Sequence, residues 1–247
     1  FNPRFCFGSR TDSDHVYNTP RAWFMARSFL PTTYKWDGEN ADFTPESDNI
    51  PWSFTPDHKV TIQELKYALS SYYQNTKYNP YGKENERGKY RSIGVPNTDC
   101  CSLEQIRTVK EKELKGLEWC SFGGGAFTCM FPQYTFVSKS PVYLSKTSLN
   151  IDTDCMYWTS RLIAALTDAH FAKAVIFTER YQLAVFNKSY EIINQYDKKF
   201  KENPSMSVLE EANEKICEMV KKESQKTLSD VLLVSSNSIL ILEIFPK

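Results

Sequence analysis

A change of hydrophobic period divides this chain. From Thr153 onward, apolar residues recur at helical spacing. Before it, short apolar runs are cut by Pro, Gly and Asn. The two patterns bury different faces, so one half is committed to helices and the other to short strands, short helices and loops. Thr153 reads as the N-cap of a helix whose Trp158, Leu162, Ile163 and Leu166 share a face. A second helix is predicted over about 171–197, Pro204 breaks the pattern, a third helix covers about 207–225, and a fourth covers 230–244. A mixed first half and a helical second half define an α+β chain.

The first half resolves further. Residues 1–19 read as irregular or extended. Thr19 then serves as an N-cap and Pro20 suits the first helical position, opening a helix over 20–30 that Pro31 ends. Arg21 falls in the first turn, where a cation faces the positive end of the helix dipole at a cost of a few tenths of a kcal/mol. It is either paired with a carboxylate or held for an anionic ligand, and a solvated arginine stays beside both readings. Residues 31–59 form a long loop rich in Pro, Asp, Thr and Trp. Thr61 and Glu64 make a capping box for a helix to about Tyr73, and 74–89 is a Tyr/Asn/Pro/Gly loop. Strands are predicted at 90–95, 100–109, 117–122 and 134–137, with Leu103, Gln105 and Arg107 on one face of the second and Ile106 on the other. Their length and spacing favour antiparallel pairing.

Thirty Lys and Arg balance thirty Asp and Glu. Zero net charge argues against a nucleic-acid partner and gives no electrostatic reason for a membrane surface. No apolar run reaches transmembrane length. The seven cysteines are odd in number, include no C-x-x-C, and accompany only three scattered histidines, which argues against a structural zinc. They read as reduced, mostly buried residues of a cytosolic protein. A chain beginning at Phe1 reads as a processed product or a piece of something longer. Gly123-Gly124-Gly125 lacks phosphate-loop spacing and reads as a turn or a close-packing site. Asp37, Glu39, Asp42, Glu46 and Asp48 crowd one loop without the calcium-loop pattern. Asp152, Asp154 and Asp168 read as capping or solvated residues. His15, His58 and His170 read as structural or surface residues, and Cys6, near His15 in sequence, would need trimming to become an N-terminal nucleophile. Asn187-Lys188-Ser189 fits a glycosylation pattern but lies in a predicted helix.

Several segments, in order, resemble the C-terminal half of the bacterial dipeptidase A family of cysteine-type N-terminal-nucleophile hydrolases. They are Phe1-Asn2-Pro3-Arg4, Thr11 to Trp23, Thr44 to Trp52, Asn79-Pro80-Tyr81-Gly82-Lys83, Arg91 to Val95, Gln105-Ile106-Arg107 and Tyr157 to Leu166. The resemblance implies a four-layer αββα sandwich, helices outside two antiparallel sheets. Residues 1–247 would be the C-terminal portion of one such domain, mixed to about residue 150 and helical after it. It also implies dipeptide hydrolysis in the cytoplasm by a cysteine at a mature N-terminus, with the free α-amine as base and no external cofactor or metal. That cysteine lies upstream of the matching region, so the implied partners are a dipeptide, an N-terminal fragment or chain carrying the nucleophile, and further copies of the protein, with no nucleic acid and no membrane. Alone, the chain would be inactive. Arg21, in its Asn-Thr-Pro-Arg-Ala-Trp setting, is the match to an active-site arginine of related hydrolases, with Asn18 and His15 lining the same pocket. The alternative is an inactive scaffold or binding subunit of the same fold.

Overall fold

Residues 1–19 prove partly helical. In the computed structural model, which describes residues 1–237, they form α1 (Pro3–Phe7) and α2 (Asp12–Tyr17). Asn2 accepts from the Phe5 N–H and Thr11 from the Asp14 N–H, so each helix is set by its cap. Neither contains a buried residue, which is why no apolar period announced them. α3 spans Thr19–Phe29, with Thr19 inside the helix and Asn18 at the cap position without a cap bond. The correction has a simple cause: Asn18 also ends α2, and its amide donates to Asp14.

The chain divides into two compact units, Phe1–Val95 and Pro96–Lys247. The core of the first is aromatic: Trp23 and Phe24 of α3 meet Trp36, Tyr73, Tyr78 and Tyr90. The 31–59 loop has no regular element but is fastened at its ends. Trp36 Nε1 donates to the Leu30 carbonyl at 2.7 Å and Trp23 Nε1 to the Phe43 carbonyl at 3.2 Å. The Asp57 carboxylate accepts from the Thr32 and Thr33 N–H groups at 2.8 and 3.1 Å and from both hydroxyls. Those bonds, the Thr33 hydroxyl first, hold its pKa at about 2 against an ordinary 3.8. A depressed folded pKa means that this clasp is complete above the ordinary value and lost as pH falls through about 2. The amide-proton shifts of Thr32 and Thr33 should therefore titrate with a midpoint near 2, and a midpoint near 4 would show that the clasp does not form.

α4 (Ile62–Leu69) carries both halves of its capping box but stops short of Tyr73. Tyr73 and Asn75 both have φ of 61°, a left-handed turn that no helix continues through. Residues 90–95 form no strand: the Ile93 and Gly94 amides converge on one carbonyl, Ser71, which a ladder cannot accommodate.

In the second unit, β1 (Cys100–Ile106), β2 (Gly116–Phe122) and β3 (Phe131–Tyr134) form an antiparallel sheet in the order β1-β2-β3, with Leu103 opposite Trp119 and Trp119 opposite Pro132. Ile106 is 87% exposed and Leu103 half-buried, as the alternation requires. β3 lies three residues earlier than expected because Pro132 disguises it, and an edge strand tolerates a missing donor. α5 (Val142–Ser145) precedes α6 (Met156–Ala169). Thr153 does not cap α6; its carbonyl accepts from Thr159. The buried face of α6 is Met156, Thr159, Ser160, Ile163, Ala164 and Thr167, leaving Trp158, Leu162 and Leu166 half-buried. Small hydroxyl residues can face inward because each finds a partner: Thr159 Oγ1 donates to the Cys155 carbonyl of its own turn at 2.9 Å, Ser160 accepts from Thr128, and Thr167 bonds Thr178.

α7 (Phe171–Glu202) runs past its expected end, and α8 (Met206–Ser236) is one helix where two were expected. Nothing between 225 and 230 breaks a helix, and Val220, Ser224, Thr227 and Val231 continue one buried stripe. The expected helix beyond residue 237 lies outside the described residues. Val185 and Tyr181 of α7 pack with Ile216 and Val220 of α8 and with Phe131 of the sheet. A small antiparallel sheet with long C-terminal helices makes the chain α+β. Among the described residues, no helix is long and apolar enough to cross a membrane.

Candidate functional site

Arg21 sits in the first turn of α3, half-buried, and among the described residues backbone carbonyls hold it rather than a carboxylate. Its Nη2 donates to Ser92 O at 3.0 Å, and its Nε reaches Arg91 O at 3.5 Å. The same Arg91 carbonyl accepts from the Tyr73 hydroxyl at 2.9 Å. Burial pushes that phenol up, and the Arg21 charge opposes the shift. Carbonyls satisfy N–H donors without cancelling the charge, so the guanidinium is oriented with no carboxylate paired to it among the described residues.

His15 and Asn18 belong to a second polar group. His15 Nε2 lies 3.1 Å from Asp48 Oδ1. Asn18 donates to Asp14, which also accepts from Ser9. Arg4 of α1 donates from Nη2 to Ser47 O at 3.0 Å, and both Asp48 and Asp14 act on its charge. α1, α2 and the 47–52 segment thus bring Arg4, Ser9, Asp14, His15, Asn18 and Asp48 into one linked patch beside a cleft of about 310 Å³. Arg21 makes none of these bonds. The weight that Arg4 and Asp48 carry was not read from the sequence; the available sign was Asn2-Pro3, a helix start that places Arg4 next to the loop.

Most of the remaining candidates have structural partners. Asp37 pairs with Arg27 at 2.9 Å, and Asp42 accepts from the Lys35 N–H at 2.8 Å. Glu46 takes Lys89 and the Tyr90 hydroxyl, each at 2.8 Å, and the lysine's hydrogen bond draws its pKa down first. Among the described residues, no three His, Cys, Asp or Glu are grouped to hold a metal ion. His58 pairs with Glu64 at 2.7 Å, and His170 joins α6 to α7. Asp152 pairs with Lys146 and Asp154 with Lys221. Gly123, Gly124 and Gly125 all have positive φ, and a Cβ on Gly124 would lie 2.4 Å from the Ala164 Cβ, a turn with close packing. Ser189 is buried in α7 and donates to the Val185 carbonyl. Cys6 is exposed, whereas burial pushes the thiols of Cys120 and Cys217 up to about 12 and 11, poor nucleophiles at neutral pH.

The sequence profile of Peptidase family C69 matches residues 1–184. A protein named Dipeptidase from Bifidobacterium longum (strain NCC 2705) is 43% identical over 185 residues, which is 74% of this chain and 35% of that protein. Probable dipeptidase A of Streptococcus pyogenes serotype M18 is 35% identical over 240 residues, covering 96% of this chain and 49% of its own length. Probable dipeptidase B of Lactococcus lactis subsp. lactis is 31% identical over 240 residues, again 96% of this chain and 49% of the relative. The chain spans a third to a half of the length of these curated relatives.

Proposed function

This chain belongs to peptidase family C69, the dipeptidase family of cysteine peptidases, and we propose from that premise that it forms the C-terminal portion of a dipeptide-cleaving N-terminal-nucleophile hydrolase. One observation carries the reading: 96% of the chain aligns with only 49% of a probable dipeptidase. The nucleophilic cysteine then comes from a preceding segment, and the chain alone is inactive. The chain then supplies part of a four-layer αββα domain, and its three-stranded antiparallel sheet supports that reading. None of the seven cysteines forms a disulfide, which supports a reducing, cytoplasmic setting.

In this mechanism the thiolate attacks the scissile carbonyl, the cysteine's own α-amine takes the thiol proton, and hydrogen-bond donors hold the oxyanion until the amine leaves. Water then attacks the thioester and regenerates the thiol. Arg21 stands beside the nucleophile. Its carbonyl-bound, uncancelled charge favours the thiolate and steadies the negative intermediate, while His15 and Asn18 line the pocket.

In the protein together with the cysteine-bearing segment, Arg21→Ala should lower kcat/KM on a free dipeptide roughly tenfold to a hundredfold, about 1.4–2.7 kcal/mol of transition-state stabilisation. The acidic limb of the pH–rate profile should also move up as the thiol pKa rises. Unchanged turnover removes Arg21 from the account, and a rate loss with a fixed profile leaves it only a scaffold role.

A further inference from the structure

Arg4 is left with incomplete hydrogen bonding. Its Nη2 is held by the Ser47 carbonyl, but Nη1 is closed off from water and has no acceptor among the described residues. A charged donor without a partner is more costly than a neutral one. Burial pulls the guanidinium down from its ordinary value, and Asp48 and Asp14 oppose that shift without bonding to it.

Arg4 lines the 310 Å³ cleft with Asn2, Ser9, Arg10, Asp48 and Trp52. That volume is at the lower end of sites that take small molecules. The Arg10 guanidinium lies over the Phe5 ring at 5.0 Å and has no carboxylate partner among the described residues. Asp48 is 44% exposed and is anchored through one oxygen by His15. The cleft therefore presents two guanidiniums and one anchored carboxylate, with Trp52 as an apolar wall. Arg10 and Trp52 are exposed side chains that burial does not lock, so both can turn toward an entering group without moving the backbone.

The complementary ligand is small, anionic at one end and cationic at the other. A free dipeptide is such a zwitterion at neutral pH. We propose that this cleft reads the two charged ends of a free dipeptide, Arg4 and Arg10 receiving its C-terminal carboxylate and Asp48 its N-terminal ammonium. The proposal rests on the dipeptidase reading and extends it to residues outside Arg21, Asn18 and His15. His15 acts as a positioning residue for Asp48.

Binding of alanyl-leucine, alanyl-leucine amide and N-acetyl-alanyl-leucine to the full chain, measured by calorimetry, tests this without reading turnover. The free dipeptide should bind at least tenfold more tightly than either blocked form. Arg4→Gln should erase the preference over the amide and keep the preference over the acetylated form, and Asp48→Asn should do the reverse. Arg10→Gln, a surface change that leaves the fold intact, should weaken the preference over the amide as well. Equal affinity for all three ligands, no binding, or discrimination that survives every variant overturns the proposal. Absence of hydrolysis by the protein with its cysteine-bearing segment would instead overturn the dipeptidase reading.

Discussion

Asp197→Ala is expected to destabilise the second unit by about 3–5 kcal/mol, the usual loss when one partner of a buried ion pair is removed. Asp197 of α7 accepts from Arg107 Nη1 at 2.7 Å and Nη2 at 3.2 Å, and from the Tyr134 hydroxyl at 2.7 Å. The paired side chains are only 12% and 15% exposed. Arg107 also donates from Nε to the Leu114 carbonyl at 2.9 Å and lies over the Tyr134 ring at 5.6 Å. Asp197 thus ties α7 to β3 and to the segment after β1. Burial and the carboxylate together push the Tyr134 phenol up, which keeps it a donor to Asp197 at any ordinary pH. Alanine strands a guanidinium and a phenol in a place water enters poorly. Urea unfolding measures the loss as a fall in midpoint at constant slope. The double variant Arg107→Met, Asp197→Leu should recover most of the stability, because it removes both charges instead of isolating one. A single-variant loss below about 1 kcal/mol would mean that the pair behaves as a surface bridge.

Gly94→Ala should cost the first unit about 3 kcal/mol through overpacking. A Cβ on Gly94 would lie 2.3 Å from the Ser70 carbonyl oxygen and 2.6 Å from its carbon. Both are backbone atoms, so no rotamer change relieves the clash. The Ile93 and Gly94 amides donate to the Ser71 carbonyl at 2.9 and 2.8 Å, and the methyl group must lift this segment away. The carbonyls of Arg91 and Ser92, which orient Arg21, lie immediately before it. Stability loss and disorientation of Arg21 should therefore come together, read as a lower urea midpoint and faster exchange of the Ile93 amide. Gly38→Ala is the control. Its φ is +86° with nothing within 4 Å of the added Cβ, so only left-handed strain of about 1 kcal/mol applies. Equal losses at the two sites would exclude crowding at Gly94.

The elements legible in the sequence were those that bury a periodic face or carry a complete cap. The α4 capping box, the stripe of α7, and β1 with its exposed Ile106 all follow from local pattern. α1 and α2 escaped because capping alone holds them and they bury nothing. β3 was expected three residues too late because Pro132 hides its start. The expected strand at 90–95 failed because Ser71, far from it in sequence, claims its amides. Within the candidate site, Arg21 was conspicuous because a first-turn cation opposes the helix dipole, a conflict visible from sequence alone. Arg4 and Asp48 were not conspicuous, since each looks like an ordinary surface charge until α1 is folded beside the 47–52 segment.

By itself, then, the sequence determined the α+β division and an arginine that calls for explanation, because period, capping and local electrostatics act over a few residues; the family came from the likeness of whole ordered segments. Only the tertiary structure decided what each charge meets among the described residues: carbonyls for Arg21, Asp48 for His15, and no acceptor for Arg4 Nη1. Those pairings join residues dozens of positions apart, and packing, which no local pattern encodes, selects among the partners.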